Sequence, residues 1–274
     1  MSERTSQHSV TLAVANQKGG VAKTTSVASI GAALAELGQS VLLVDLDPQA
    51  CLTFSLGIDP ENLDESIHHV LTKGVDAASV ILETDDGVDL LPATIELARA
   101  EAELLTRTGR EQALKVVLES LADDDLHYDW ILLDCPPSLG VLTVAALTAA
   151  DGVLIPLQCE TLSHRGVGQL LDTVHDVRRF TNRKLEVWGV LPTLYDGRTN
   201  HARTVLETIS DTYDLEVVEP PIPKTIKFAE APAAGRSILA TSRSSKGAQA
   251  YLQLAAELIA RHEGGTGAAA VQPS

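Results

Sequence analysis

Aromatic residues are scarce in this 274-residue chain: three Phe, two Trp and four Tyr, or 3% of the total. Hydrophobic residues still make up 45%, so a large core is available, but it must be built from Ala, Val, Leu and Ile. Cysteine is scarce too. Cys51, Cys135 and Cys159 form no CxxC and no paired spacing, which points to buried thiols in a reducing compartment rather than a disulfide framework. No apolar run approaches the ~20 residues that a membrane span needs. The opening MSERTSQHSVTLAVA has too short an apolar stretch for a signal peptide. The expected location is therefore the cytoplasm. Positive charge is also short, with 21 Lys and Arg against 37 Asp and Glu and a net charge of −16. That balance repels nucleic acid and anionic lipid in general, so a basic surface must be built locally if it exists.

What is present is an alternation of strand-like and helix-like segments. Val10–Ala15, Val41–Asp45, Val88–Leu91, Trp130–Asp134, Val153–Leu157, Val187–Leu191 and Leu215–Val218 read as short strands. Most are continuous apolar runs, as expected where both faces of a parallel sheet are covered. Helical patterns lie between them at Thr24–Leu37, Ile95–Leu121, Leu139–Ala149, His164–Phe180, His201–Tyr213 and Lys246–Arg261. The expectation is a doubly wound α/β fold with a mostly parallel sheet and right-handed crossovers. No linker, repeat or composition break divides the chain, so residues 1–263 are expected to form one domain. The small polar residues of 264–274 are expected to be a disordered tail.

The stretch NQKGGVAKTT, Asn16–Thr25, follows an apolar strand and opens a helix, the context of a phosphate-binding loop. Gly19 and Gly20 let backbone N–H groups converge on phosphate without interference from a Cβ. Val21 and Ala22 complete the loop. Lys23 can bridge the β- and γ-phosphates, Thr24 can place its hydroxyl on Mg²⁺, and Thr25 can reach the α-phosphate. The helix N-terminus adds donors and a favourable dipole. The ordinary G-x-x-x-x-G-K-[ST] pattern fails, because Gln17 and Ala22 stand where its glycines belong. K-G-G-x-x-K-[ST], the deviant Walker A motif, fits.

Two acidic strand ends accompany the loop. VLLVDLDPQ (Val41–Gln49) carries Asp45 and Asp47, and YDWILLDCPPSLG (Tyr128–Gly140) carries Asp134. Carboxylates at the carboxyl edge of a parallel sheet face the ligand crevice. Asp134 sits in a Walker B arrangement that holds Mg²⁺ through water, and Ser138–Gly140 would act as a γ-phosphate sensor.

With these motifs the chain resembles the ParA/MinD superfamily of P-loop ATPases, and the resemblance continues at PLQCE (Pro156–Glu160), PTLYDGRT (Pro192–Thr199) and PIPKTIKFAEAPAAGRSI (Pro221–Ile238). It implies ATP and Mg²⁺ as cofactors and a homodimer that forms with ATP. In that dimer Lys18 reaches the partner subunit's nucleotide, the role an arginine finger plays elsewhere. It further implies that Asp47 orients the attacking water and contacts the metal site, and that Pro223 and Lys224 flank the adenine. Asp45 would support the Mg²⁺ shell or the loop. Ala22 departs from the family's usual glycine. Thr161–Gly166 departs from its aromatic and acidic run, with Arg165 in place of an acidic residue.

The function this resemblance implies is segregation of chromosomes or plasmids, or positioning of another cargo. The ATP dimer would bind DNA nonspecifically at the nucleoid, and a ParB-like partner would stimulate a weak intrinsic turnover. Arg178, Arg179, Arg183 and Lys184, with Lys224, Lys227, Arg236, Arg243 and Lys246, are the candidate DNA-contacting cations. A MinD-like membrane switch is an alternative, but it needs a basic amphipathic C-terminal helix, and the final helix pattern carries acidic residues. An ATP-binding regulator with little turnover is another. An iron–sulfur reductase would need cluster cysteines that Cys135 has no companion to supply.

Overall fold

The strands are apolar along their whole length because helices cover both faces of the sheet they form. The computed structural model describes residues 9–123, 126–160 and 163–268. Seven strands, β1 (Val10–Val14), β2 (Val41–Asp45), β3 (Leu82–Glu83), β4 (Asp89–Leu91), β5 (Trp130–Asp134), β6 (Gly152–Gln158) and β7 (Glu186–Thr193), lie in the order β3-β4-β2-β5-β1-β6-β7. Every neighbouring pair is parallel except β3 with β4. Successive side chains point to opposite faces. Ala13, Leu42, Val44, Ile131, Leu133, Val153 and Ile155 therefore join one hydrophobic cluster. Leu12, Val14, Leu43, Leu132 and Leu154 join the other.

Among the described residues twelve α-helices surround the sheet: α1 (Lys23–Glu36), α2 (Cys51–Ser55), α3 (Ile67–Lys73), α4 (Ala77–Val80), α5 (Leu97–Leu105), α6 (Ala113–Asp123), α7 (Val141–Ala149), α8 (Ser163–Phe180), α9 (Asn200–Tyr213), α10 (Lys227–Ala233), α11 (Ile238–Ser242) and α12 (Lys246–Ala268). Helices α3, α6, α7 and α8 give Ile67, Leu114, Ala146 and Leu170 to the first cluster. Helices α1 and α12 give Ile30, Leu34, Leu254 and Leu258 to the second. The few aromatics close gaps between elements. Trp130 meets Trp188 edge-on at 6.1 Å, and Phe228 meets Tyr251 at 5.8 Å.

The structure departs from the sequence expectation in several places. Leu215–Val218 is not a strand. It makes a single isolated bridge, Val190 with Val217, because Pro220 and Pro221 follow at once and cannot donate to a ladder. The expected helix over Ile95–Leu121 is two helices, interrupted at Thr106–Gly109 where Gly109 takes φ 72°. A short antiparallel edge strand, β3, was not expected, nor were the short helices α2, α3, α4, α10 and α11. The last helix runs to Ala268, five residues into the segment expected as a tail. Once started, helix propagation adds one hydrogen bond per residue fixed, and no proline intervenes. Residues 269–274 lie outside the described residues.

α12 matters to function because it braces α1, the helix that begins at Lys23. The Tyr251 hydroxyl is buried and shares a 2.9 Å hydrogen bond with the hydroxyl of Ser26. Tyr251→Phe leaves Ser26 without that partner and is expected to cost about 1 kcal/mol. Thermal unfolding should show a drop of roughly 2–4 °C. An unchanged melting temperature would mean that the bond contributes nothing to the docking.

Candidate functional site

The parallel register builds the site. Asp134 at the end of β5 lies opposite Val14 of β1 on one side and opposite Asp45 of β2 on the other. The loop after β1 and the acidic ends of β2 and β5 are therefore forced together. The strand order also reverses about β1, since the chain passes to β2 on one flank and returns to β6 on the other. This is the switch point where open α/β sheets bind ligands.

The loop is fastened at both ends. Asn16 donates its side-chain N–H to the Pro156 carbonyl at 2.8 Å and accepts the Lys18 N–H at 2.9 Å. The Thr193 hydroxyl, at the end of β7, donates to the Val21 carbonyl at 2.9 Å. Between these anchors Gly19 and Gly20 are exposed, and no atom lies within 4 Å of where a Cβ would stand at either. Gly20 takes φ 76°, and Ala22 takes φ 62° and ψ 35° as the N-cap of α1. Ala22 is thus held in the left-handed region that glycine favours, at a cost of roughly 1–2 kcal/mol. The fastened loop fixes it there.

Lys23 is buried and its ammonium approaches the Lys18 carbonyl at 3.3 Å. Burial pulls its pKa down, while Asp134, Cys135 and Asp47 act in the opposite sense. Thr24 and Thr25 follow in the first turn of α1. Lys18 points elsewhere. Its ammonium forms an ion pair with Glu160, and the two side chains are 33% and 53% exposed. Nothing in the sequence had singled out Glu160 for this contact. Thr161 and Leu162, the start of the divergent segment, lie outside the described residues.

Asp45 is fully buried and accepts from the Thr53 N–H at 2.9 Å, the Thr53 hydroxyl at 2.8 Å and the Asp47 N–H at 3.1 Å. It therefore secures the turn that presents Asp47. Burial outweighs these bonds and pushes its pKa up to about 6. Asp47 is half-buried and accepts the Gln49 N–H at 2.9 Å. Asp134 is fully buried, and neither of its oxygens has a hydrogen-bond partner among the described residues. Burial and the Asp45 charge drive its pKa well above the usual carboxylate range, against the pull of the nearby Thr24 hydroxyl and Lys23 ammonium. A buried carboxylate without a partner is costly. Hard oxygen donors from Asp134, Asp47 and Thr24 beside an open phosphate loop are the set that suits Mg²⁺ with a bound polyphosphate.

Pro223 bridges to Tyr195, the Lys224 N–H donates to the Tyr195 carbonyl at 3.3 Å, and the Tyr195 N–H donates to the Ile222 carbonyl at 2.9 Å. This segment is tied to the end of β7, whose Thr193 holds the phosphate loop. The basic residues are less available than the sequence suggests. Lys227 pairs with Glu230 at 2.7 Å, Arg236 with Asp86 at 2.7 Å, and Arg243 with Glu36. Arg178 donates to the Leu185 carbonyl at 2.7 Å. Arg179, Arg183, Lys184, Lys224 and Lys246 are exposed.

A fastened glycine loop at the switch point, flanked by acidic strand ends, defines the P-loop nucleotide-binding class. Known proteins agree. A family model described as an AAA domain matches residues 9–187. The sporulation initiation inhibitor protein Soj of Bacillus subtilis is 43% identical over 250 residues, 91% of this chain and 98% of that protein. The chromosome partitioning protein ParA of Caulobacter vibrioides is 39% identical over 251 residues, 91% and 94% of the two chains. Among solved structures, cobyrinic acid a,c-diamide synthase from Mycobacterium smegmatis, with bound ADP and magnesium, is 54% identical. It superposes with a TM-score of 0.84 over 94% of this chain and 97% of that one. The chain belongs to the ParA/MinD family of P-loop ATPases. Among the described residues no helix is long and apolar enough to cross a membrane.

The buried acids make a testable contribution to stability. Asp45 and Asp134 both hold their protons more tightly folded than unfolded. What they contribute is fully present below the unfolded carboxylate pKa and is lost as pH rises through the folded one, about 6 for Asp45. Asp134→Asn removes the buried charge. The nucleotide-free protein should gain about 1–3 kcal/mol at neutral pH and lose part of that pH dependence. Its further stabilisation by Mg²⁺ with ATP should disappear. Thermal melts with and without nucleotide check both, and a less stable nucleotide-free variant would contradict the assignment of Asp134 as a carboxylate awaiting a cation.

Proposed function

We propose that this chain is an ATPase that closes on Mg²⁺ and ATP as a two-fold dimer, binds duplex DNA without sequence preference in that state, and so partitions or positions a DNA-linked cargo. The observation that carries the reading is the division of labour between two lysines of one loop. Lys23 is buried against the acidic floor, whereas the Lys18 ammonium faces out to Glu160. A lysine on the rim of its own loop is placed to serve a neighbour's nucleotide.

In this reading backbone N–H groups of Gly19, Gly20, Val21 and Ala22 cradle the phosphates. Lys23 bridges the β- and γ-phosphates and Thr25 reaches the α-phosphate. Thr24 ligates Mg²⁺, Asp134 holds it through water, and Asp47 contributes to the metal site and orients the attacking water. Pro223 and Lys224 flank the adenine. Lys18 supplies positive charge in trans to the developing charge on the transferred phosphoryl group. Turnover by the protein alone is slow, and a ParB-like partner accelerates it. The ATP dimer then associates with the nucleoid, and hydrolysis releases it. The names of Soj and ParA relatives over nine-tenths of the chain support this cargo class.

The diamide synthase named for the 54% identical structure suggests amide formation instead. A synthase that takes its nitrogen from glutamine needs an activated thiol. Burial raises the pKa of Cys51 and Cys135 and pushes that of Cys159 up to about 11. Each thiol is thereby shifted away from its thiolate form, and the partition reading fits these residues better.

Lys18→Ala should bind ATP with near-normal affinity yet remain a monomer by light scattering. Asp47→Ala should form an ATP dimer that persists, with turnover reduced by at least tenfold. A normal dimer from the first variant, or normal turnover in the second, would remove those roles.

DNA binding is tested separately, on unrelated duplexes with ATP and with ADP. Binding should require ATP and weaken with salt, with a log–log slope of roughly 0.9 per phosphate contacted. Arg183→Glu combined with Lys246→Glu should weaken it further. Equal binding in both nucleotide states would exclude DNA as the surface on which the dimer acts.

A further inference from the structure

Outside the nucleotide site, one buried side chain has no use in the mechanism. His68, in the first turn of α3, is only 4% exposed, and neither ring nitrogen has a hydrogen-bond partner among the described residues. Its Nδ1 faces Glu96 Oε2 at 3.6 Å, and the Nε2 of His69 faces the same oxygen at 3.8 Å. The three side chains offer donor atoms that all lie within 4.8 Å of one another.

We propose that His68, His69 and Glu96 form a site for a divalent transition-metal ion of the zinc type, with water in the fourth position. Two imidazoles and one carboxylate are a ligand set such ions accept, at bonds of roughly 2.0–2.2 Å. Tetrahedral bonds of that length space their donors by roughly 3.3–3.6 Å, close to the two distances to Glu96. The widest spacing in the set, within 4.8 Å, lies between the two imidazoles. It closes toward that range only if the His69 ring turns toward His68, and the 45% exposed Glu96 side chain is free to follow. Burial and the neighbouring His69 lower the His68 pKa, against the opposing pull of the Glu96 and Glu103 carboxylates.

The surrounding backbone already holds the ligands together. The Ile67 N–H donates to the Pro92 carbonyl at 2.9 Å, and the hydroxyls of Ser66 and Thr94 stand 3.3 Å apart. The segment before Glu96 is thus fixed to the start of α3 without the ion. One local bond must give way. His69 Nδ1 accepts the Ser66 N–H at 3.2 Å, and metal on Nε2 moves the ring proton to Nδ1. Loss of that contact is a marker of occupancy. The bound ion would staple α3 to the segment entering α5. That segment also touches the nucleotide site, because the Ala93 N–H donates to the Thr53 hydroxyl at 3.0 Å and Thr53 in turn holds Asp45.

The test uses full-length protein without an affinity tag, stripped by chelator and free of nucleotide, titrated with Co²⁺ and, in parallel, with Zn²⁺ by calorimetry. One ion per chain should bind with micromolar or tighter affinity, and Co²⁺ should show the visible d–d bands of a tetrahedral site. Glu96→Gln should weaken binding at least tenfold and His68→Gln should abolish the bands. If His68→Gln fails to fold, Glu96→Gln decides, with its unchanged ATP binding as proof of folding. No saturable binding, or equal affinity in Glu96→Gln, would overturn the site. The second result would place the ion elsewhere, for instance on the Mg²⁺ carboxylates.

Discussion

Asp134 is the constraint on which the rest depends. A parallel register puts it between Val14 and Asp45, fully buried, with neither oxygen within hydrogen-bond distance of a donor among the described residues and the Thr24 hydroxyl close by. A folded chain tolerates a buried, unpaired carboxylate only by neutralising it or by recruiting positive charge. Lys23 supplies part of that charge and is itself pulled toward neutrality by burial. The site is therefore electrostatically incomplete as a protein alone, and a metal ion with phosphates completes it. Stability is given up at the carboxyl edge of the sheet so that a ligand can restore it.

The scaffold around that centre is rigid where the chemistry needs it to be. Asn16 and Thr193 pin the loop to β6 and β7, so that Ala22 stays in a backbone region that suits glycine. Asp45 is occupied by Thr53 and by the Asp47 N–H. It acts as a support for the turn, which leaves Asp47 and Asp134 as the carboxylates available to metal and water. Helix α12, docked through Tyr251 on Ser26, holds α1 in place behind the loop. Lys18 sits outside this rigid set, on the exposed side of the loop, with Glu160 as its counter-ion.

Much of this was legible in the residues themselves. The apolar runs of β1, β2 and β5 gave both the parallel sheet and the position of the acidic strand ends, because continuous burial and strand-end carboxylates are local signals. The phosphate loop was legible from its glycines and two lysines. Contacts between residues distant in sequence were not. Thr53 on Asp45, Thr193 on Val21 and Glu160 on Lys18 are pairings that only the register creates. The break at Gly109 was hidden by an amphipathic pattern that continues on both sides of it. Val217 looked like a strand residue because its apolar neighbours outweighed the prolines that follow. The cationic stretch Lys224–Lys246 looked more basic than it is, since Asp86, Glu36 and Glu230 neutralise three of its members.

In the proposed mechanism the two lysines of one loop serve two different active sites, which would separate a dimer-forming switch from an ordinary P-loop enzyme. Mixing the Lys18→Ala and Asp47→Ala chains tests this directly. In a mixed dimer, the site with an intact Asp47 receives Lys18 from the other chain, so one complete site exists. Two variants that are each inactive alone should then hydrolyse ATP when combined, with activity rising as mixed dimers form. If Lys18 acts on its own chain's nucleotide, no mixed dimer holds a complete site, and a mixture as inactive as its components would contradict action in trans.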